Sequence, residues 1–271
     1  CHQVPNVPQT FVEGDSTWTP KNSGKSRYDG KIVTLKWGLA NSVNNISAWL
    51  IKRFTPQAVS DIIKKMGVKS KIMAVNSIFL GTSEVSLYEM DSAYSTFANK
   101  GVHIDPLIVT RIEDKNGNVL ATFNPQRSEA ISEQTAFLML NLLEAVVNQG
   151  TAIRLRYRYN LEGHIAGKTG TTQNHSDGWF MGITPNVVGG AWVGAEDRGV
   201  RFKEIGMGQG ANMALPIFAL FLEKCYQDKS VGVSPHDEWE KPLRIDHKSL
   251  DCPDPDYIVP QEKEINTDDF F

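Results

Sequence analysis

A cation, several hydroxyl groups and a glycine stand side by side in the segment GKTGTTQNHSDGWFMGI, residues 167–183. On a β-strand, the side chains of Lys168, Thr169 and Thr171 alternate between the two faces, and Gly170 lets another main chain approach closely. Such a strand edge suits an extended peptide that carries a carboxylate. A Lys-Thr-Gly triplet is also common by chance, with the lysine solvated. The triplet alone therefore leaves both interpretations open.

A second polar pattern, Ser42-Val43-Asn44, lies far upstream. The hydroxyl of Ser42 can pass on a proton, and the carboxamide of Asn44 offers both a donor and an acceptor. Lys168 could bias that hydroxyl electrostatically. Serine and asparagine are also ordinary capping residues in a turn between helices. By itself this pattern is more typical of such a turn than of a catalytic site.

The predicted elements place the two patterns on a helix break and on a sheet. Residues 35–54 have a helical composition, but the residues around Ser42 favour turns and caps, so we expect the helix to be interrupted or kinked there. Three glycine-containing segments of strand length predict an antiparallel three-stranded meander: His164–Thr172, Ser176–Thr184 and Val187–Glu196. Lys168 would then lie on the first strand.

Further helices are predicted from their start and end signals. These helices run from Thr55-Pro56 to Gly67, from the Ser86–Glu89 capping box to Gly101, from Ser132 to about Asn148, and from Ala211 to Tyr226. Asn116-Gly117, between two alternating runs over residues 107–123, predicts a β-hairpin. Residues 1–34 are rich in Pro, Gly, Ser and Asn, and we expect them to cover the domain rather than to form a separate one.

Side chains close to the Lys-Thr-Gly triplet have structural interpretations. The aromatic residues Trp179, Phe180 and Trp192 are expected to pack the sheet against the helices, because aromatic residues at strand positions usually belong to the core. Asn174 and Asp177 are expected to shape the turn after the triplet. The sequence therefore points to the triplet itself as the candidate site on this sheet.

Together and in this order, the two patterns resemble two of the three signatures of the penicillin-recognising serine acyltransferases, which are Ser-x-x-Lys, Ser-x-Asn and Lys-Thr-Gly. The segments TWTPKN, VTLKWGLANSVN, LGTSEVSLYEMDSAYSTFANKG and GKTGTTQNHSDGWFMGITPNVVGGAWVGAED look like the transpeptidase domain of class A, bifunctional penicillin-binding proteins of the 1A type. The likeness extends over nearly all of residues 4–226. It implies an α/β fold of the α+β type, in which helices flank an antiparallel sheet.

The resemblance implies catalytic roles for three residues. Ser42 would relay a proton to the leaving D-alanine amine, and Lys168 would polarise that relay. Asn44 would bind the side-chain amide of the peptidoglycan stem peptide.

It also implies substrate-binding roles for the rest of the triplet strand. The hydroxyls of Thr169 and Thr171 would bind the terminal carboxylate, and the backbone N–H of Thr171 would belong to the oxyanion hole. Gly170 would leave room for the substrate to add to the sheet as a further strand.

The third signature has no match in this sequence. Residues 1–41 contain no Ser-x-x-Lys tetrapeptide. We therefore expect the acyl-accepting serine to lie outside this chain. The resemblance implies the same for the glycosyltransferase domain and the membrane anchor, which the family carries further upstream. The chain looks like a truncated transpeptidase domain that is inactive by itself.

The function that the resemblance implies for the parent protein is D,D-transpeptidation. A serine attacks the D-Ala-D-Ala amide, D-alanine leaves, and an amine of a neighbouring stem peptide resolves the ester, which cross-links peptidoglycan. β-Lactams would be inhibitors, no metal or organic cofactor is implied, and the domain would lie on the periplasmic side of the bacterial cytoplasmic membrane. Two alternatives stay open: a non-catalytic sensor or binding domain for β-lactams or cell-wall peptides, and a D,D-carboxypeptidase or β-lactamase.

The composition excludes several other classes of protein. The 271 residues are 41% hydrophobic and 22% charged, which is the range of ordinary globular proteins with a sizeable core. The net charge of -3 gives no basic footprint for nucleic acid. The longest apolar run, Ala214–Leu222, is too short to span a bilayer, which needs roughly 20 residues.

Two predictions concern the C-terminal region and the cysteines. Residues 1–228 are predicted to form the partial transpeptidase domain, and residues 229–271 an acidic, proline-containing tail with little secondary structure and few buried apolar contacts. Cys1, Cys225 and Cys252 lie far apart and form no zinc pattern. A Cys225–Cys252 disulfide stays an open alternative to unpaired thiols.

Overall fold

The computed structural model describes residues 1–245, 250, 252 and 255–257. Its helices are α1 (Leu35–Ala40), α2 (Asn44–Ile51), α3 (Pro56–Lys65), α4 (Leu87–Ala98), α5 (Glu133–Gln149), α6 (Arg154–Tyr157), α7 (Ile205–Gly208), α8 (Gly210–Met213) and α9 (Leu215–Gln227). Its strands are β1 (Gln3–Pro5), β2 (Phe11–Glu13), β3 (Ser16–Trp18), β4 (Ile32–Thr34), β5 (Val102–Ile104), β6 (Arg111–Glu113), β7 (Val119–Thr122), β8 (Arg127–Glu129), β9 (Ala166–Thr171), β10 (Gly178–Ile183) and β11 (Val188–Val193). Helices around antiparallel strands confirm the predicted fold class.

The largest sheet is the predicted meander. β10 is its middle strand and pairs antiparallel with β9 on one side and β11 on the other. In this register Lys168 lies opposite Met181, and Thr169 lies opposite Phe180. Because cross-strand partners share a face, Lys168 and Thr169 belong to opposite faces of the sheet.

Helices cover both faces of this sheet. On one face the fully buried Phe180 packs against Phe218 of α9, with ring centroids 5.2 Å apart. On the other face Ala166 and Ile183 are buried in a cluster with Leu140 of α5. Burying one large apolar side chain stabilises a fold by about 1.5–3 kcal/mol. These two layers fix β9, and with it the backbone of the Lys-Thr-Gly triplet.

The helix starts agree with the sequence signals. Thr34, Thr55 and Ser132 each accept a hydrogen bond from the first turn of α1, α3 and α5, and Ser86 with Glu89 forms the capping box of α4. The expected break at the Ser-x-Asn pattern separates α1 from α2, and the expected hairpin is formed by β6 and β7. Local capping chemistry therefore determines where these elements begin.

Residues 1–34 cover α1 and α2, as predicted. β1 pairs antiparallel with β4, which continues directly into α1. The buried Asn45 donates to Asn6 Oδ1 at 2.9 Å, and Asn6 donates to Tyr28 O at 3.0 Å. Leaving such a buried polar group without a partner would cost about 1–3 kcal/mol, so these amides specify how the strip lies on α2.

Parts of the structure differ from the prediction. The single helix expected over residues 211–226 is divided, because α8 ends at Met213 and α9 begins at Leu215, next to Pro216, which has no backbone N–H to donate. The base of the hairpin is closed by β5 and β8, which the sequence did not predict. Both strands are only three residues long, and β8 is polar and exposed, so neither has a strand pattern.

The segment after residue 228 is packed more tightly than predicted. Val233 and Trp239 are buried, and the indole N–H of Trp239 donates to Glu144 Oε1 at 2.9 Å. The same oxygen lies 2.7 Å from His164 Nδ1. The expectation of few buried apolar contacts is therefore wrong for residues 229–245, because the indole finds both an apolar cluster and a carboxylate. About half of the predicted tail lies outside the described residues, and the boundary at residue 228 stays a prediction.

The cysteine pairing also differs from the alternatives considered. A disulfide joins Cys1 to Cys252, whose Cα atoms are 4.7 Å apart, and Cys225 is a free thiol. A Cys225–Cys252 bond is excluded because the Cys252 sulfur is bonded to Cys1, while Cys225 on α9 is buried in an apolar cluster. The observed bond fastens the tail to the strip that leads into α1.

Candidate active site

Ser42 follows the C-terminus of α1 in an uncommon backbone conformation. Its N–H donates to Leu39 O at 3.1 Å, and the N–H of Val43 donates to Gly38 O at 3.0 Å. This pair of bonds defines a Schellman cap, in which a left-handed residue, usually glycine, ends the helix. Ser42 occupies that position with φ of +53°. A strained non-glycine residue of this kind is typical of functional sites, and here it presents an exposed hydroxyl.

Lys168 reaches this hydroxyl from β9. Its Nζ donates to Ser42 Oγ at 2.8 Å and to Thr169 O at 3.0 Å. Lys168 is partly buried, and the removal of its ammonium group from water lowers its pKa to about 8. At neutral pH the group is still mostly charged. It therefore favours negative charge on the Ser42 oxygen and can respond to small changes in pH.

Asn44 stands at the start of α2 and is oriented by the covering strip. Its Nδ2 donates to Lys21 O at 2.7 Å, which uses one of the two amide hydrogens. The structure therefore brings Ser42 and Lys168 into contact, and it binds the Asn44 amide to the strip.

The three residues predicted to bind the peptide follow Lys168 on β9. Thr169 Oγ1 lies 2.7 Å from Thr151 Oγ1, and Thr171 Oγ1 accepts from Gly210 N at 3.0 Å. The second bond uses a lone pair of the Thr171 hydroxyl and not its proton, so this exposed hydroxyl can still donate to an anion. In the described part of the chain β9 is an outer strand of its sheet, so no further strand pairs with its outer edge there.

The loop after β9 is held in a fixed shape. Asn174 and His175 are both left-handed, each with φ of +63°, and Asp177 accepts from the Ser176 hydroxyl at 2.7 Å. Asn174 and Asp177 thus shape this turn, as predicted. Trp192 is 43% exposed and donates from Nε1 to Asp177 Oδ1 at 3.1 Å, so its predicted place in the core is wrong. Its indole N–H needs an acceptor, which the surface carboxylate supplies.

One residue that the sequence did not indicate, Thr151, bonds to the Lys-Thr-Gly strand and to the helix end just before the Ser-x-Asn pattern. Thr151 N donates to Ala40 O at 3.0 Å, at the end of α1, while Thr151 Oγ1 bonds to Thr169 on β9. The only local signal for it was the Gly150-Thr151 pair directly after α5. That signal marks the end of a helix and does not reveal which segments meet there.

The groups gathered here are an ammonium, hydroxyls and open backbone, which can transfer protons and bind an anion. Among residues 1–245 and the few described beyond them, no cluster of His, Cys, Asp and Glu could hold a metal ion. In the same residues, no helix has both the length and the apolar character that crossing a bilayer requires.

The sequence profile of the penicillin-binding protein transpeptidase domain matches residues 2–195. This range is well over half of the chain and contains both motifs. The chain belongs to this family. The resemblance seen in the sequence is thereby confirmed, and the pair Ser42–Lys168 lies within a transpeptidase domain.

Curated relatives of the chain are penicillin-binding proteins 1A. The protein from Aquifex aeolicus (strain VF5) is 34% identical over 206 residues, which cover 76% of this chain and 27% of that protein. The protein from Rickettsia conorii is 30% identical over 243 residues, with 80% and 29% covered. The chain therefore spans less than a third of the length of these relatives.

Solved structures show the same fold. Penicillin-binding protein 1A from Haemophilus influenzae superposes with a TM-score of 0.75 and 25% identity over 84% of this chain and 39% of that one. PonA1 from Mycobacterium tuberculosis, solved in complex with penicillin V, gives a TM-score of 0.69 at 24% identity over 90% and 66% of the chains. The predicted transpeptidase fold is confirmed.

Proposed function

We propose that this chain forms part of the D,D-transpeptidase domain of a bifunctional class A penicillin-binding protein, which cross-links peptidoglycan by serine acyl transfer. The observation that carries the proposal is the 2.8 Å bond from Lys168 Nζ to Ser42 Oγ, because it joins two motifs of the family that are far apart in the sequence. A surface lysine and a turn serine without a shared role would have no reason to meet in a strained, partly buried arrangement.

The reaction needs a nucleophile that residues 1–271 do not supply in a Ser-x-x-Lys context. In the proposed mechanism a serine from such a segment of the full-length protein attacks the carbonyl carbon of D-Ala-D-Ala. The amide C–N bond breaks, and the Ser42 hydroxyl gives its proton to the departing amine of D-alanine while receiving the proton removed from the nucleophile. Lys168 stabilises the charge that develops on Ser42 Oγ during this relay.

The substrate lies along the open edge of β9 in this proposal. The exposed Thr171 hydroxyl donates to the terminal carboxylate, and the Thr171 N–H points to the developing oxyanion. Thr169 contributes its hydroxyl from the same strand, and Gly170 admits the peptide main chain. Asn44 binds the stem-peptide amide with the part of its carboxamide that is not bound to Lys21.

The same proposal gives the protein a place in the cell. The full-length protein carries an upstream glycosyltransferase domain and an anchor in the bacterial cytoplasmic membrane, and this domain faces the periplasm. β-Lactams acylate the same serine as the stem peptide does. The curated relatives, which are penicillin-binding proteins 1A, support the assignment to that class of protein. The penicillin V complex of the structural neighbour supports the binding of β-lactams.

The test is acylation by a fluorescent penicillin. We expect the full-length protein to be labelled and the 271-residue chain alone to stay unlabelled. Lys168→Ala in the full-length protein should slow labelling by a factor of order 10². The matched control is Lys203→Ala, which changes an exposed lysine and should leave the rate unchanged. Stoichiometric labelling of the 271-residue chain, or indifference to Lys168→Ala, would overturn the proposal.

A second measurement separates the transpeptidase from its relatives in mechanism. With a stem-peptide donor and a second stem peptide that carries a free amine, D-alanine release should be accompanied by a cross-linked product. Release of D-alanine with only hydrolysed donor would identify a carboxypeptidase. Binding of penicillin without acylation or release would identify a sensor.

A further inference from the structure

The end of α1 is fastened to the end of α5 by a backbone hydrogen bond. The last carbonyls of a helix lack partners within the helix, and Thr151 N supplies one to Ala40 O at 3.0 Å. Ala40 precedes Ser42 by only two residues. Gly150 makes the approach possible, because a Cβ at this position would lie 2.1 Å from Ala40 O. The backbone of Thr151 therefore fixes the segment that carries the relay hydroxyl.

The side chain of the same residue is fastened to the second motif. Thr151 Oγ1 and Thr169 Oγ1 are 2.7 Å apart, and Thr169 directly follows Lys168. The carbonyl of Thr169 in turn accepts from Lys168 Nζ at 3.0 Å. Thr151 is thus hydrogen-bonded to the Lys-Thr-Gly motif itself and to the helix end two residues before the Ser-x-Asn motif.

The contact between Ser42 and Lys168 needs such a link. It joins an exposed serine in a turn to the end of a lysine side chain with four rotatable carbons, so it has little rigidity of its own. Catalytic groups lose efficiency steeply with misplacement, and an error of 1 Å can reduce a rate by about 10²-fold. A single residue that binds the Ala40 carbonyl and the Thr169 hydroxyl limits how far the two segments can separate.

We propose that Thr151 is a positioning residue of the transpeptidase site, which holds the Ser-x-Asn turn and the Lys-Thr-Gly strand at the separation that proton relay requires. Thr151 acts through Ala40 and Thr169 and does not touch the reacting atoms. The inference rests on the proposed function, since the separation matters only if Ser42 and Lys168 work together.

The two contacts predict different effects for different substitutions. Serine keeps both the N–H and the hydroxyl, whereas valine keeps the N–H and the branched shape but has no hydroxyl. Thr151→Val therefore removes the bond to Thr169 and leaves the bond to Ala40 in place. Thr151→Ser keeps both.

The experiment measures penicillin acylation of the full-length protein at saturating and limiting penicillin. Thr151→Val should lower the acylation rate at saturation about tenfold or more, with little change in the penicillin concentration that gives half the maximal rate. Thr151→Ser should restore the rate to within about threefold of wild type. In Thr151→Val, water should re-enter around Lys168 and raise its pKa. The fall in acylation rate at alkaline pH should therefore begin at a higher pH than in the wild-type protein.

The matched control is Thr135→Val. Thr135 Oγ1 bonds to Ser132 Oγ at 2.8 Å at the exposed start of α5, so this substitution removes the same kind of hydroxyl pair far from the motifs. It should leave acylation unchanged. Wild-type acylation and pH profile in Thr151→Val would overturn the inference, as would equal losses in the valine and serine variants. The proposed function is tested separately in the same experiment. It still holds if penicillin labels the wild-type protein and Lys168→Ala slows that labelling. A wild-type protein that is not labelled would overturn both the proposed function and the inference about Thr151.

Discussion

The close contact between α5 and α1 makes Gly150 a sensitive position. In Gly150→Ala the new Cβ would lie 2.1 Å from Ala40 O, 2.7 Å from Ala40 C and 2.9 Å from Val146 Cα. All three atoms belong to backbone, and the ends of α1 and α5 must separate by about 1 Å to restore a normal contact with Ala40. Overpacking of this kind costs about 1–3 kcal/mol, and the loss of the Thr151–Ala40 bond costs about 1 kcal/mol.

A smaller effect opposes these costs. Replacing glycine by alanine restricts the unfolded chain and stabilises a protein by about 0.4–1 kcal/mol. Gly150→Ala should therefore lower the free energy of unfolding by about 2 kcal/mol. For a chain of this size, that corresponds to a fall in Tm of about 4–8 °C.

The assay is urea or thermal unfolding of the full-length protein, followed through this domain, together with penicillin acylation. Gly24→Ala is the matched control, because a Cβ there meets no atom within 4 Å and the position is exposed. It should change stability by less than about 0.5 kcal/mol. Gly150→Ala should in addition acylate more slowly, since the Ser42 turn moves with Ala40. A Gly150→Ala protein with the stability and acylation rate of the control would refute this account of the contact.

Three further predictions concern a cap, the disulfide and the site lysine. Hydrogen bonds from the backbone and side chains of Ser86 and Ser70 lower the Glu89 pKa to about 2. The Glu89 carboxylate therefore contributes its full stabilisation above pH 4.5 and loses it as the pH falls towards 2. Glu89→Gln should cost about 1 kcal/mol at pH 7 and progressively less below pH 4.5 in urea unfolding, and a cost independent of pH would contradict this. Cys252→Ser removes the disulfide to Cys1 and should lower the free energy of unfolding by about 2–4 kcal/mol. A thiol reductant should destabilise the wild-type protein but not this variant, and an equal effect on the two proteins would count against the disulfide. In the proposed relay Lys168 acts as a cation, and its pKa is about 8, so acylation should fall as the pH rises through 8. Lys168→Arg stays charged and should remove this alkaline fall, so that an unchanged fall would rule out the proposed role.

Elements with local signals were predictable from the sequence. The Ser86–Glu89 capping box, the Thr55 cap and the Asn116-Gly117 turn each satisfy their hydrogen bonds within a few residues, so their sequence context is also their structural context. The break at Ser42 was predictable for the same reason. Its left-handed backbone was not, because glycine is the residue that normally signals such a cap.

Contacts between distant segments were less accessible. The family motifs implied that Ser42 and Lys168 meet, but nothing near Cys1 indicated that its partner is Cys252. Trp239 looked like part of an unpacked tail because its acceptor, Glu144, belongs to another element. Such pairings depend on how elements pack, and a single sequence carries no local trace of them.

The central claim is that Ser42 and Lys168 work as a pair in acyl transfer, and a double-mutant cycle on the acylation rate of the full-length protein tests it most directly. We expect Ser42→Ala and Lys168→Ala each to slow acylation by a factor of order 10², because each removes one side of the 2.8 Å contact. The double variant should be little slower than either single variant, since groups that act as a unit are strongly non-additive. Single variants that acylate at the wild-type rate, or losses that multiply in the double variant, would contradict the account.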